Sequence, residues 1–362
     1  MSNNTKRAFD QTMQQITLEL KRNPEHGIPY LKEQIATYRN QPLGKEIARA
    51  CAKMMWNLTP DEQRTELATV FLEHETSPRS IIDEANRDIR TGRAPKAVKT
   101  MKKLVRKYDQ LCAHGWGECD SEHVSFDFKT PLDEAIWRVQ SGDSRIVRHQ
   151  TEPFREAYFV YGVALHSAKR YSDSIFALEQ ALRWDPADRT TRFAISENYK
   201  KLGDFETYNR ALDEMHPFIT KAEDLADYHL SKGSVLTELK RFELAAAHIT
   251  YSRLYVGTKL AFDELAYIKA LSGKDFAAMT REACIDLLLE SGELRGPDEK
   301  TIAGMRDYLE KACEDEDYLA AIQTAIDLYQ LTGDGNMNDI AEDLIEIVNM
   351  LGTVLIKHPA FF

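Results

Sequence analysis

The sequence predicts an all-α fold, an α-α superhelix of antiparallel helix pairs, and three observations carry that expectation. Apolar residues recur at three- and four-residue steps along almost the whole chain. Strand signals are nearly absent: no run of alternating β-branched and aromatic residues is closed by an Asn-Gly or Asp-Gly hairpin turn. A turn aromatic recurs at Tyr171, Phe205, Phe242 and Phe276, with separations of 34, 37 and 34 positions. A helix–turn–helix unit of that length buries its apolar face only by stacking on its neighbours.

The aromatics sit in similar polar turns, Lys169-Arg170-Tyr171, Gly203-Asp204-Phe205, Lys240-Arg241-Phe242 and Lys274-Asp275-Phe276. Each is expected to open one amphipathic helix and to follow another. The best unit, 155–188, carries Tyr158, Tyr161, Gly162, Leu165, Tyr171, Leu178, Ala181, Leu182, Asp185 and Pro186, with a small residue, Ser174, in its second helix. At these spacings the unit resembles the tetratricopeptide repeat. The resemblance implies that Gly162 and Ser174 let paired helices approach closely. It also implies that Tyr158, Tyr161, Leu178 and Leu182 fill the space between pairs. A second unit, from Arg189, keeps Ile195, Tyr199, Gly203, Phe205 and Leu212, but has Ser196 for the glycine and bulky Tyr208 at the close-approach position. A third, from Ala226, keeps Gly233, Leu236, Phe242, Ala245 and Ile249, and a fourth, 260–292, keeps Phe276 and its flanking helices.

Outside that block the pattern predicts degenerate pairs. Segments 80–91 and 95–112 flank Thr91-Gly92-Arg93, and 301–313 and 318–331 flank an acidic turn ending at Asp317. Segment 337–357 is expected to cap the array. Thr59-Pro60-Asp61-Glu62 reads as a helix start, with a capping hydroxyl, a first-turn proline and two acids at the positive end of the dipole. The expected organisation is a helical region over 1–112, an irregular insertion with a connecting helix over 113–150, the repeats over 151–292, and acidic pairs with a capping helix over 293–362. One continuous superhelix is expected, interrupted at 113–131.

Composition narrows the function. Of 362 residues 43% are hydrophobic, enough for a large core, and Gly and Pro together number 29, too few for a loop-rich β-sandwich. No apolar run approaches a membrane span, and residues 1–10 lack an apolar signal region, so a cytoplasmic location is expected. Five cysteines, an odd number, suit a reducing compartment. The net charge of −11 conceals a gradient of +6 over 1–112, −7 over 113–290 and −10 over 291–362. An acidic total argues against nucleic acid as the partner, because phosphate neutralisation needs concentrated basic surface.

Three constellations are candidates for function. Cys112, His114, Cys119 and His123 place two thiols and two imidazoles within twelve residues, a possible zinc set, although the spacing lacks paired Cys-x2-Cys knuckles. The alternative is a loop with a buried Cys112 and surface histidines. On a helix, Lys96, Lys99, Lys103 and Arg106 share one face, opposite Ala97, Met101, Leu104 and Tyr108. That stripe is either a solvated face or a patch for an acidic partner, another copy of the chain included.

The third is the groove that the tetratricopeptide resemblance implies on the first helix of each pair. Its inward positions are Phe159, Val163 and His166, then Phe193, Glu197 and Lys200, then Leu230, Ser234 and Thr237. Some relatives clamp a terminal carboxylate with lysine and asparagine. Here Phe159, Val163, Ala194, Asp227 and Ser231 stand there, so that clamp is missing.

Phosphate-loop, His-Glu-x2-His and nucleophile-elbow motifs are absent. Asp334-Gly335-Asn336-Met337-Asn338-Asp339 lacks the sixth-position glycine of a calcium loop and has Ile345 where a bidentate Glu is required, so it reads as a helix-capping turn. The expected function is a non-catalytic scaffold, without cofactor, holding a peptide or helix of a partner protein in its concave groove. The alternative is a regulatory sensor whose solenoid binds a small peptide or metabolite and changes shape.

Overall fold

A computed structural model describes residues 3–22, 26–38, 41, 43–58, 77–293 and 295–357. The chain divides into two compact units, Met1–Glu84 and Ala85–Phe362. The first contains α1 (Asn3–Arg22), α2 (Gly27–Tyr38) and α3 (Gly44–Leu58), packed around Ile16, Leu31, Ile35, Ile47, Cys51 and Met55. Cys51 is a small buried hydrophobe there, its thiol pushed up to about 11 by burial. The expected helix start at Thr59–Glu62 lies outside the described residues. Helix α4 (Pro78–Arg90) crosses the boundary between the units.

In the second unit α5 (Ala94–Ala113) follows, and after a short insertion come successive pairs. These are α7 (Phe154–Ser167) with α8 (Tyr171–Trp184), α9 (Arg189–Leu202) with α10 (Phe205–Met215), and α11 (Ala222–Glu238) with α12 (Phe242–Ser252). Close approach within pairs comes from small residues, as the spacing implies. A Cβ on Gly162 would lie 2.6 Å from Leu178 Cγ, and one on Gly233 2.4 Å from Ile249 Cγ1. Ser174 Oγ, fully buried, donates to the Gly162 carbonyl at 2.8 Å and locks the first pair at its crossing point.

The turns inside these pairs repeat one geometry. Lys169, Gly203 and Lys240, each two residues before the aromatic, have φ of 60°, 74° and 60°. The following amide reaches back five residues, as in Arg170 N to Leu165 O at 2.9 Å, Asp204 N to Tyr199 O at 3.1 Å and Arg241 N to Leu236 O at 2.8 Å. This is the Schellman closure that satisfies the last carbonyls of a helix. It recurs where the aromatic register was not expected: Glu316 has φ 58°, Asp317 N bonds Ala312 O at 2.9 Å, and Tyr318 opens the next helix. That helix, α16 (Tyr318–Thr332), pairs with α15 (Glu299–Glu314).

The fourth pair departs from expectation. Phe276 does not open a helix; it lies in the connection between α13 (Lys259–Ser272) and α14 (Arg281–Glu290), packed against the core. Thr280, whose hydroxyl accepts from Ala283 N at 3.2 Å, is the N-cap instead, and Asp275 forms a local turn by accepting from Ala277 N. Side-chain caps outcompete the aromatic register for the helix start. As a result α13 and α14 both lean on α12 rather than closing on each other.

The near-absence of strands has one exception among the described residues. Strand β1 (His123–Phe126) pairs in parallel with β2 (Ile146–His149), and α6 (Pro131–Ser141) forms the crossover. A search for hairpin turns misses a parallel pair, because its strands are joined by a helix. Val124, Phe126, Trp137 and Ala187 form its small core. Asp127 N donates to Trp184 O at 2.8 Å, which fastens the ribbon to the end of α8. Gly117 passes so close to Trp184 that a Cβ would lie 2.4 Å from the indole. The terminal helix α17 (Gly335–Lys357) buries Ala341 and Leu344 in the core it shares with α15 and α16, and Asp334 caps it through Asn336 N at 3.2 Å.

Candidate functional site

The first helices α7, α9 and α11 carry the expected groove positions. Phe159, Val163, His166, Phe193, Glu197, Lys200, Leu230 and Ser234 are all half-buried. Thr237 is a correction: it is 2% exposed, and its hydroxyl donates to the Gly233 carbonyl one turn earlier at 2.9 Å. The apolar members are braced from behind. Phe159 packs on Ile175, Leu178 and Ile195, while Phe193 and Leu230 pack on the main core.

The polar members are held by specific contacts. His166 Nδ1 lies 3.0 Å from Asn198 Oδ1, and Asn198 donates its own amide to the Ala194 carbonyl. The imidazole Nδ1 is therefore the donor, which ties α7 to α9. Tyr171 meets the His166 ring edge-on at 5.4 Å. Tyr208, bulky where a small residue was expected and fully buried, organises the next two. Its hydroxyl donates to Glu197 Oε1 at 3.3 Å, and Lys200 Nζ stands 5.7 Å from its ring centroid. Burial first, then Glu197, pushes the Tyr208 phenol above its ordinary range, so it remains a donor. Burial also raises the carboxyl of Glu264 on α13, against the opposing pull of Lys200.

The two other constellations are placed differently. Lys96, Lys99, Lys103 and Arg106 are exposed along α5, while Ala97, Met101, Leu104 and Tyr108 are buried beneath them. Lys96 and Arg93 both pair with Asp88, a 1% exposed carboxylate at the end of α4, at 3.0 and 2.9 Å. The four zinc candidates do not converge. His114 Nδ1 donates to Gln110 O at 2.6 Å, and His123 Nδ1 engages Asp120 Oδ1 at 3.1 Å at the start of β1. Cys112 is half-buried on α5 with its thiol raised by burial, and Cys119 is exposed. Among the described residues no three His, Cys, Asp or Glu side chains are grouped to hold a metal.

Sequence reasoning missed two buried polar clusters because their members are far apart in the chain. Asp185 and Asp188, between α8 and α9, lie near Asp133 in the first turn of α6. Burial and the neighbouring Asp133 push Asp185 up to about 7, although it accepts from Lys129 N at 2.9 Å and Ala187 N at 3.1 Å. The second cluster joins His229, His248, Lys232, Asp213 and Glu293. His229 and His248 stand on helical faces that read as core, and only their convergence on one connection gives them meaning.

With the helix pairs and their turns in view, comparison with known proteins supports the repeat reading over one unit. Residues 156–188, which span α7, its Schellman turn and α8, match the tetratricopeptide repeat family. Residues 156–188 form a tetratricopeptide repeat, and the pairs around it are similar to degenerate repeats of that family. An 88-residue stretch is also 26% identical to cell division cycle protein 27 homolog A of Arabidopsis thaliana. That stretch is 24% of this chain and 12% of that protein, so the likeness spans a small part of the relative. The tetratricopeptide frame is that of a protein-interaction scaffold. Among the described residues no helix is long and apolar enough to cross a membrane.

Proposed function

We propose that the face formed by α7, α9 and α11 holds a peptide segment or helix of a partner protein. The observation that carries this reading is the row of half-buried apolar residues, Phe159, Val163, Phe193 and Leu230, beside Glu197 and Lys200 held in place by Tyr208. Such a row offers apolar anchors whose positions are fixed before binding, which lowers the ordering cost of association. The oppositely charged pair beside it selects a partner with charges of both signs next to an apolar anchor. Ordered apolar anchors, rather than a carboxylate clamp, set the affinity.

The test is capture from native cells with immobilised full-length chain, comparing wild type with Glu197→Lys/Lys200→Glu. Both residues stand on the half-buried rim, so helical circular dichroism should be retained. Proteins captured by the wild type should be lost from the variant. Unchanged capture would remove this face as the binding surface.

A further inference from the structure

The connection from α14 to α15 is held against the α11–α12 pair by imidazoles. His229 on α11 and His248 on α12 are fully buried, with their Nδ1 atoms 2.9 Å apart. His229 Nε2 lies 2.8 Å from the Arg295 carbonyl oxygen, and His248 Nε2 lies 3.3 Å from Glu293 Oε2. Each of these three contacts needs one N–H, but two neutral imidazoles carry only two. One added proton completes the set, as an imidazolium facing the Glu293 carboxylate. A further proton has no place. With both rings doubly protonated, two Nδ1–H groups would oppose each other across the 2.9 Å contact. The closed cluster therefore holds at most one extra proton, whereas two solvated histidines take up two.

We propose that the His229–His248 pair is an acid-sensitive latch that fastens the α14–α15 connection to the α11–α12 pair and opens as pH falls through the histidine range. Every packed element contributes a charge to the balance. From α11, Lys232 Nζ lies 3.8 Å from Glu293 Oε2 and 3.1 Å from Asp213 Oδ1 of α10. At the start of α12, Arg241 pairs with Glu293 Oε1 at 3.2 Å, and Arg295 approaches Asp213 at 3.7 Å. Tyr228 donates to Asp213 at 3.0 Å, Tyr251 lies edge-on to His229 at 4.7 Å, and His216 donates to the Gly296 carbonyl at 2.8 Å. Burial, joined by Lys232, holds His248 below the ordinary imidazole range, against Glu293 and Asp213, which favour the imidazolium. Burial, then His248, drives His229 far below the ordinary imidazole range. The Glu293 carboxyl, bonded to His248, is held at about 2 and stays ionised throughout.

The sign follows from these depressed histidines. The latch is fully stable above the pKa of a solvated histidine, about 6.5, and loses stability as pH falls below it. His229 lies beside Leu230 on α11, so opening also disturbs a helix of the proposed binding face, although the latch does not depend on that function. His216 is the internal comparison, because a second proton on its Nδ1 leaves its bond to Gly296 intact.

Hydrogen exchange of the full chain, corrected for intrinsic rates, should be compared at about pH 7 and about pH 5.5. Uptake of one proton on opening predicts a roughly eightfold rise in the opening of α11, α12 and the connection after α14. His248→Gln should lose most of that rise, and His216→Gln should keep it. Ring-nitrogen NMR of the wild type gives the same answer without a variant: His229 should stay neutral until opening begins. Equal corrected protection at the two pH values, or independent titration of both rings near pH 6.5 without opening, would overturn the latch.

Discussion

Replacing Gly233 with alanine places a methyl group 2.4 Å from Ile249 Cγ1 and 3.0 Å from the Ala245 carbonyl oxygen, where α11 crosses α12. Ile249 is fully buried and the Ala245 oxygen is backbone, so neither neighbour moves without displacing the helix pair. Overpacking of this kind costs about 1–3 kcal/mol. A contact as short as 2.4 Å puts the cost at the upper end, about 2–3 kcal/mol, and alanine recovers about 1 kcal/mol of helix propensity over glycine, so the net loss is about 1–2 kcal/mol. Urea denaturation followed by circular dichroism should show a lower midpoint at unchanged m-value. Adding Ile249→Ala removes the clashing atoms, so the double variant should lose less than the sum of the singles, with a coupling of about 1–2 kcal/mol. An unchanged midpoint for Gly233→Ala, or strict additivity in the double variant, would refute the close crossing on which the repeat frame depends.

Further outcomes follow from the same geometry. Lys169→Gly and Lys240→Gly, at left-handed turn positions, should each raise stability by about 0.5–1 kcal/mol, whereas Gly203→Ala should lower it by about 1 kcal/mol; thermal denaturation reads both signs. Asp185, pushed up to about 7, favours its protonated form in the fold, so its contribution is full below pH about 4 and is lost as pH rises through about 7. Asp185→Asn should remove that part of the stability–pH profile. Lys99→Glu with Lys103→Glu alters only exposed positions and should change stability by less than about 0.5 kcal/mol, measured by urea midpoint.

The legible part of the fold was the part written locally. Gly162, Ser174 and Gly233 were readable because close approach needs small residues at fixed steps, and the structure places each at a crossing. The register of Tyr171, Phe205 and Phe242 was readable because each follows a Schellman turn. Tyr318 belongs to the same set but stands 42 positions after Phe276, beyond the regular period and among acids. Phe276 misled for the opposite reason: its spacing is right, but the Thr280 cap moves the helix start past it. The β1–β2 ribbon escaped notice because its four-residue strands pair across a helix.

The site was less readable than the frame. Periodicity assigns inward positions, but Thr237 shows that a hydroxyl at such a position is also able to bond its own helix and leave the surface. Tyr208 looked like a departure from the repeat, and in place it is what orients Glu197 and Lys200. The histidine latch depends on residues 229, 248 and 293 meeting, a tertiary fact with no local pattern.

The central claim, that partners are held on the face of α7, α9 and α11, is tested most directly by photo-crosslinking in native cells. A photoreactive amino acid at Ser234 on α11 should give covalent adducts with a partner protein. The same group at Phe176, 66% exposed on the second-layer helix α8, should give none. Adducts from Phe176 but not from Ser234 would contradict the account.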